Sequence, residues 1–321
     1  MATVTRRGLY LPRYRIGTGA IREQWGGGAD GVKSKAVQAK DDDPTTLSVR
    51  AGQSVLDGRR DVDALFFAST TPVYEYGSVT PFLAEALDLP EDTYVQSFAE
   101  TARAGTAALR AAADAVAGDS DAVLVVAAET PSPEPRTDRE KTAGAGAAAA
   151  LVEADGDGLD QAATAARARP VLDEWRAPGG EPLQSADDRF GRDVGYVETA
   201  RRAIEDALDT AGWAADDVDA LVVTQPNGKF ASRLAGAVGV GDALATPSFG
   251  REYGDLRAAS ALGSLALSDL SAGDRVVVAG YGAGTADAVA YEATAVPEPA
   301  DEPGEGTALD YVQYLEHVDQ L

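Results

Sequence analysis

The chain has 321 residues, 45% of them hydrophobic, enough to bury one large core or two fused half-domains. Against 28 basic side chains stand 52 acidic ones, a formal net charge of -24 spread along the whole sequence, which opposes contact with nucleic-acid phosphates or an anionic membrane face. Cysteine is absent and His317 is the only histidine, which excludes disulfides, thiolate chemistry and a zinc site built mainly from Cys and His.

No apolar run approaches the ~18 residues of a membrane span. Met1 to Arg7 carries basic residues with no apolar stretch behind them, so no secretory leader is expected. The dispersed acid suits a hydrated, salt-tolerant surface. The expectation is a soluble, cytoplasmic protein of halophilic composition, with no nucleic-acid or membrane partner.

In chain order, Thr46 to Leu56 reads as a helix and Val62-Asp63-Ala64-Leu65-Phe66-Phe67-Ala68 as a buried strand. Ala104 to Ala117 is a helix of small residues, followed by Gly118-Asp119 and the apolar strand Ala122 to Ala127. Thr130 to Lys141 is rich in Pro, Glu and Arg and reads as a surface loop. Thr142-Ala143-Gly144-Ala145-Gly146 then opens an apolar segment reaching Val152. Glu153 to Arg192, with its turns, charges and Trp175, reads as an irregular excursion near a pocket mouth.

From there the pattern begins again. Tyr196 to Ala211 spaces Val197, Ala200, Ile204 and Leu208 for one apolar helix face. Val218-Asp219-Ala220-Leu221-Val222-Val223-Thr224 repeats the first strand 156 residues later. Leu256 to Leu270 repeats the small-residue helix, Gly273-Asp274 and Arg275 to Ala279 repeat the turn and strand, and Tyr281-Gly282-Ala283-Gly284 precedes the closing segment Ala286 to Ala293. Alternating strands and helices argue for an α/β fold with parallel or mixed sheets covered by helices. Helices of small residues are expected where a helix lies between two sheets. The predicted organisation is one half over 1–160, a second over 161–296, and a tail over 297–321. That tail holds an acidic Pro/Gly linker, Pro297 to Gly306, and a short helix (Leu309, Val312, Tyr314, Leu315) that folds back.

One segment is more specific than the pattern. Gln225-Pro226-Asn227-Gly228-Lys229-Phe230 follows the second repeated strand. Together with Ala104 to Leu109, Thr142 to Ala147, Tyr281 to Gly284 and the tail Tyr311 to His317, it resembles the archaeal type of 3-hydroxy-3-methylglutaryl-CoA synthase. The resemblance spans essentially the whole chain. It implies a thiolase-like fold, two duplicated α/β halves in five layers (α-β-α-β-α), with the two small-residue helices buried between the sheets.

The resemblance also implies a chemistry. In that family a cysteine at the N-terminus of a buried helix is acylated by acetyl-CoA, a glutamate acts as general acid/base, and a histidine and an asparagine position the second substrate. Carried across, the cysteine position is Ala102, the histidine position Thr224, the glutamate position Thr70 and the asparagine position Arg251. No intact catalytic residue is expected. Glu100 beside Ala102 reads either as a polarising group or as a carboxylate on the helix dipole. Asn227, Gly228, Lys229, Gly282, Gly284 and Arg103 remain candidates for contacts to a ligand, with a CoA thioester as the implied ligand and no cofactor or metal.

Two functions follow from this. The first is a non-catalytic subunit or scaffold in an acyl-CoA-handling complex, pairing as a homodimer or with a catalytic paralogue through the region around Tyr94 to Phe98. A thiolase and a zinc-ribbon/OB-fold protein are the further partners the family implies. The second is an acyltransferase or thioester-processing enzyme that works without a cysteine nucleophile, since proximity alone supplies a large part of a barrier.

Overall fold

A computed structural model describes residues 2–27, 31–179, 182–297 and 304–320. In the first half the elements are β1 (Thr3–Tyr10), β2 (Tyr14–Gly17), α1 (Thr18–Trp25), β3 (Ser34–Val37), α2 (Pro44–Leu56), β4 (Ala64–Ala68), α3 (Thr80–Ala86), β5 (Tyr94–Phe98), α4 (Ala104–Val116), β6 (Ala122–Glu129), α5 (Asp138–Thr142) and β7 (Gly146–Glu153). The second half continues with β8 (Leu159–Ala168), β9 (Glu174–Trp175), β10 (Gln184–Ser185), a π-helical segment Phe190–Val197, α6 (Glu198–Ala211), β11 (Ala220–Val223), α7 (Gly228–Val238), α8 (Phe249–Tyr253), α9 (Ser260–Ala266), β12 (Arg275–Gly282) and β13 (Thr285–Ala293). The chain closes with β14 (Thr307–Ala308) and α10 (Tyr311–His317).

The duplication is visible in the strand order. The first half runs β1-β7-β6-β4-β5 and the second runs β8-β13-β12-β11, the same order without a fifth strand. In place of that strand Leu244 makes a single parallel bridge to Leu221. The halves meet edge to edge where β1 pairs with β8 through Thr3–Asp160 and Val4–Leu159, which formally joins all nine strands.

Alternation along the strands builds the layers. Phe66 and Val125 of the first half, with Val222 and Val278 of the second, face one shared core that contains α4 and α9. Leu65, Phe67 and Leu124 point the other way onto α2 and α3, while Leu221, Val223 and Val277 point onto α6 and α7. The result is the five-layer thiolase-like arrangement. In the middle layer space is scarce. A methyl group added at Gly105 of α4 would lie 2.0 Å from the Ala258 carbonyl oxygen, so only glycine lets α4 pack against the turn that leads into α9. Every residue of α9 is buried, whereas α4 leaves Asp114 exposed and Arg110 partly so.

Three expectations need correction. The stretch expected to be irregular after Glu153 contains β8, a ten-residue strand at the seam of the sheet. Its Asp160, Gln161, Thr164 and Arg167 hide it from an apolar-run criterion. The stretch Thr130 to Lys141 is not all surface, because Glu140 and Lys141 are buried in α5. Helix α9 begins at Ser260 rather than Leu256, preceded by a 3-10 turn over Arg257–Ala259.

The tail folds back as expected. α10 is N-capped by Asp310, whose carboxylate accepts from the Gln313 amide while the Gln313 side chain accepts from Asp310 N. Its Tyr314 enters a small separate core with Ile16, Ile21, Val37 and Val318. Most of the expected acidic linker, residues 298–303, lies outside the described residues. No helix among the described residues is long and apolar enough to cross a membrane.

Candidate functional site

The sharp turn into α4 presents Ala102. Glu100 is exposed and takes φ 78°, a left-handed conformation that costs a non-glycine residue of order 1 kcal/mol and is held by its surroundings. The loop is pressed from behind by Gly282, where an added Cβ would come 2.8 Å from Ala102 N. Ala102 faces a small pocket of about 120 Å³ that it shares with Thr224, Asp173, Tyr281, Asp255 and Arg257. Ala102 and Thr224 are therefore brought together as the sequence implied.

Thr224 is buried and tied into this wall. Its hydroxyl accepts from Tyr281 N (3.4 Å) and its carbonyl accepts from the Tyr196 hydroxyl (2.6 Å). The Tyr281 hydroxyl donates to Asp173 Oδ2 at 2.7 Å and accepts from Gly284 N at 3.1 Å. Burial pushes the Asp173 carboxyl above the usual carboxylate range, against the Tyr281 hydrogen bond that favours its ionised form. Asp255 is displaced upward for the same first reason, burial, opposed by the charges of Arg257 and Arg139.

Thr70 lies on the opposite side, at the floor of a second and much larger cleft of about 1310 Å³. Its hydroxyl donates to Glu129 (2.9 Å) and accepts from Arg257 Nε (3.0 Å). Glu129 is fully buried at the end of β6 and also accepts from Thr70 N, Thr71 Oγ1 and Ala258 N. Those four donors saturate the carboxylate, and burial holds it above its ordinary pKa. Glu129 thus pins the loop after β4 to the loop before α9, and neither it nor Thr70 is free to exchange a proton with a ligand.

Arg251 is not brought to either cavity. It sits on α8 with its side chain 62% exposed, next to Glu252. The acid that this segment does deliver to the small pocket is Asp255, four residues on. The signal for it was in the repeat: the 156-residue offset that relates the two Val-Asp-Ala-Leu strands also carries Ala104 at the start of α4 onto Ser260 at the start of α9. The same offset carries Thr101 onto Arg257, so the pocket-forming residues of the second half lie at 255–258. Glu174 and Asp173 had no such signal, because they sit in the stretch between the copies.

The ligand candidates separate by role. Asn227 caps α7, accepting from Lys229 N (2.9 Å) and Phe230 N (3.1 Å), with Gly228 as the first helical residue beside the Arg251 Cβ. Lys229 stands exposed on that first turn. Gln225 is fully buried and knits its surroundings: its amide donates to Thr246 O and accepts from Gly250 N, and its backbone donates to Ser260 Oγ. Much of the marker hexapeptide is therefore accounted for by folding. Gly282 lines the small pocket, while Gly284, at φ 78°, packs against the Val171 carbonyl. Arg103 is held by the buried Asp287 of β13 at 2.7 Å, a partner shared with Arg110. Among the described residues no group of three or more His, Asp or Glu side chains could hold a metal ion.

A buried helix pair between two duplicated sheets, with a pocket at the head of the first helix, defines a thiolase-like fold. The comparisons agree. Residues 208–292 match the family model "3-Oxoacyl-[acyl-carrier-protein (ACP)] synthase III C terminal". The fold superposes on a crystal structure of HMG-CoA synthase complexed with CoA (TM-score 0.86, 20% identity, 98% of this chain and 89% of that one). It also superposes on 3-oxoacyl-[acyl-carrier-protein] synthase III from Aquifex aeolicus (TM-score 0.82, 20% identity, 91% and 100%). In sequence the chain is 30% identical to the hydroxymethylglutaryl-CoA synthase of Aeropyrum pernix over 296 residues, covering 86% of this chain and 80% of that protein. It is 28% identical to that of Picrophilus torridus over 342 aligned positions, covering 99% and 95%. The chain belongs to the hydroxymethylglutaryl-CoA synthase family.

Proposed function

We propose that this protein is a non-catalytic family member, acting as a subunit or scaffold in an acyl-CoA-handling complex of a halophilic cytoplasm. The observation that carries the reading is Ala102 at the head of α4 in a chain without any cysteine. A methyl group has no lone pair to attack a thioester, and a pocket of about 120 Å³ is small beside the ~300 Å³ of the smallest usual ligand sites. Thr70 and Thr224, at the positions implied for acid/base and positioning groups, are spent on internal hydrogen bonds. A CoA thioester remains the ligand the family suggests, with Asn227, Gly228 and Lys229, between the pocket-lining Pro226 and Phe230, as its candidate contacts.

β5 supports the pairing role. It is the outer strand of its sheet, and its Tyr94 is 60% exposed, with Phe82 (69%) and Tyr76 (99%) as further exposed aromatics of the same half. The proposed partner across this edge is a second copy or a catalytic paralogue, with a thiolase and a zinc-ribbon/OB-fold protein as further members. Sedimentation in molar salt should give a dimer at micromolar concentration, or a monomer that becomes a heterodimer with the paralogue. A monomer indifferent to both would overturn the pairing.

One observation favours an enzyme instead: the Asp173–Tyr281 pair places a carboxyl of raised pKa in the Ala102 pocket, a candidate proton donor for thioester chemistry without a covalent intermediate. Incubation of the purified chain with acetyl-CoA and acetoacetyl-CoA, followed by mass spectrometry, separates the readings. The scaffold reading expects no acetylated protein and no HMG-CoA above the buffer rate; turnover by the protein alone would sink it.

A further inference from the structure

Where the two cavities meet, one carboxylate is gripped by two guanidiniums. Glu174, on β9, and Arg257 line both the large cleft and the small pocket. Arg257 Nη2 and Nη1 reach the two Glu174 oxygens at 2.9 and 3.5 Å, and Arg139 Nη1 lies 3.8 Å from Glu174 Oε1. The two partners differ in how they are built. The Arg257 side chain is 6% exposed and fixed from several sides: its Nε donates to Thr70, its Nη1 is 3.8 Å from Asp255 Oδ2, and its backbone amide donates to Asp255 Oδ1. Its backbone holds φ 42°, a strained conformation of the sort that persists where surrounding structure enforces a particular side-chain placement. Glu174, by contrast, is 32% exposed and sits on a two-stranded hairpin, β9–β10, whose strands pair only with each other among the described residues.

We infer that Arg257 and Arg139 form a preorganised site for the carboxylate of a ligand entering through the large cleft, and that Glu174 occupies it as an internal stand-in. The bidentate fork of Arg257 matches a planar carboxylate, which a compact halide cannot reproduce. An entering carboxylate needs only a rotation of the Glu174 side chain into the cleft, where it becomes solvated. The displacement would also connect the cleft with the Ala102 pocket, because the Arg257–Glu174 pair is part of the wall common to both. The inference holds whether or not the chain turns over a thioester.

An internal occupant competes at high effective concentration, so removing it should unmask the site. At fixed molar KCl, Glu174→Ala should bind acetate and glutarate saturably, about tenfold or more tighter than the wild type. Trp175 fluorescence and the thermal midpoint both report it. Arg257→Met in the Glu174→Ala background should abolish the response, and Arg139→Met should weaken it. If Glu174→Ala does not fold, Glu174→Gln keeps the shape without the charge and carries the same test. A Glu174 variant that binds carboxylates no better than the wild type overturns the inference. So does a response that survives loss of Arg257, or one that added chloride reproduces.

Discussion

Asp63 and Asp219, 156 residues apart, do the same job in the two halves. The Asp63 amide donates to Ala122 O (2.9 Å) and its carboxylate accepts from Ala122 N (3.0 Å) and Asp121 N (2.7 Å). The Asp219 amide donates to Arg275 O (2.9 Å) and its carboxylate accepts from Arg275 N (2.9 Å). Each aspartate ties the loop before one strand to the start of the next, which sets the parallel register of β4 with β6 and of β11 with β12. Alanine at either position should cost about 1–2 kcal/mol, and the costs should add, because the two share no partner. Urea unfolding of both single variants and the double variant would show it.

Gly105→Ala is expected to be far more damaging than its size suggests. The added methyl meets a backbone carbonyl 2.0 Å away, and two helices locked between sheets cannot part without opening the core. The loss should be about 3 kcal/mol in denaturant titration. A change under 1 kcal/mol would mean the central helices are looser than described.

Rearming the site should succeed at one position and fail at another. Ala102→Cys adds one sulfur beside the small pocket and should cost on the order of 1 kcal/mol. Thr70→Glu should cost on the order of 3 kcal/mol, since it sets a second carboxylate against the buried Glu129 and removes the hydroxyl that Arg257 donates to. The triple variant Ala102→Cys, Thr70→Glu, Thr224→His should therefore stay inactive in condensation assays. Calorimetry of the single variants identifies Thr70→Glu as the cause if its midpoint falls furthest.

Lys35 gives a pH signature. It is fully buried, its ammonium donating to Glu140 O and to the Tyr314 hydroxyl (2.9 Å) and lying 4.4 Å from the Tyr314 ring centre. Burial lowers its pKa to about 7, partly countered by the Glu140 charge and assisted by that of Arg139. The unfolded chain holds this proton up to the ordinary lysine pKa near 10.5, so between pH 7 and 10.5 it binds more protons than the folded one. Stability contributed by Lys35 should therefore rise with pH through that window. Lys35→Met should flatten the rise, read from urea midpoints across pH.

The duplicated framework was legible because the strands buried on both faces are unbroken apolar runs and the central helices can only be small. β1 and β8 were not legible: Arg6 and Arg7 in one, Asp160 and Gln161 in the other, interrupt any apolar run. The site was half legible. Ala102 and Thr224 could be placed because each stands next to a recognisable segment. Glu129, Glu174 and Arg257 could not, because each reads as a surface charge until the fold brings positions 129, 174 and 257 within hydrogen-bonding distance of one another or of Thr70. Asp255 was not legible either: it lines the small pocket, whereas Arg251 four residues before it lines neither cavity.

Tyr314, with Val318, fills a core whose facing walls, Ile16, Ile21 and Val37, come from the first forty residues. During synthesis that face of the molecule stays bare until Tyr314, far along the chain from Val37, has left the ribosome. At about 20 residues per second this is a wait of roughly 15 seconds. The nascent protein thus carries an unfinished apolar face until the segment around Tyr314 arrives to shield it. Truncation before Tyr311 should leave the halves able to pair their strands but prone to self-association through α1, read as a concentration-dependent rise in sedimenting mass.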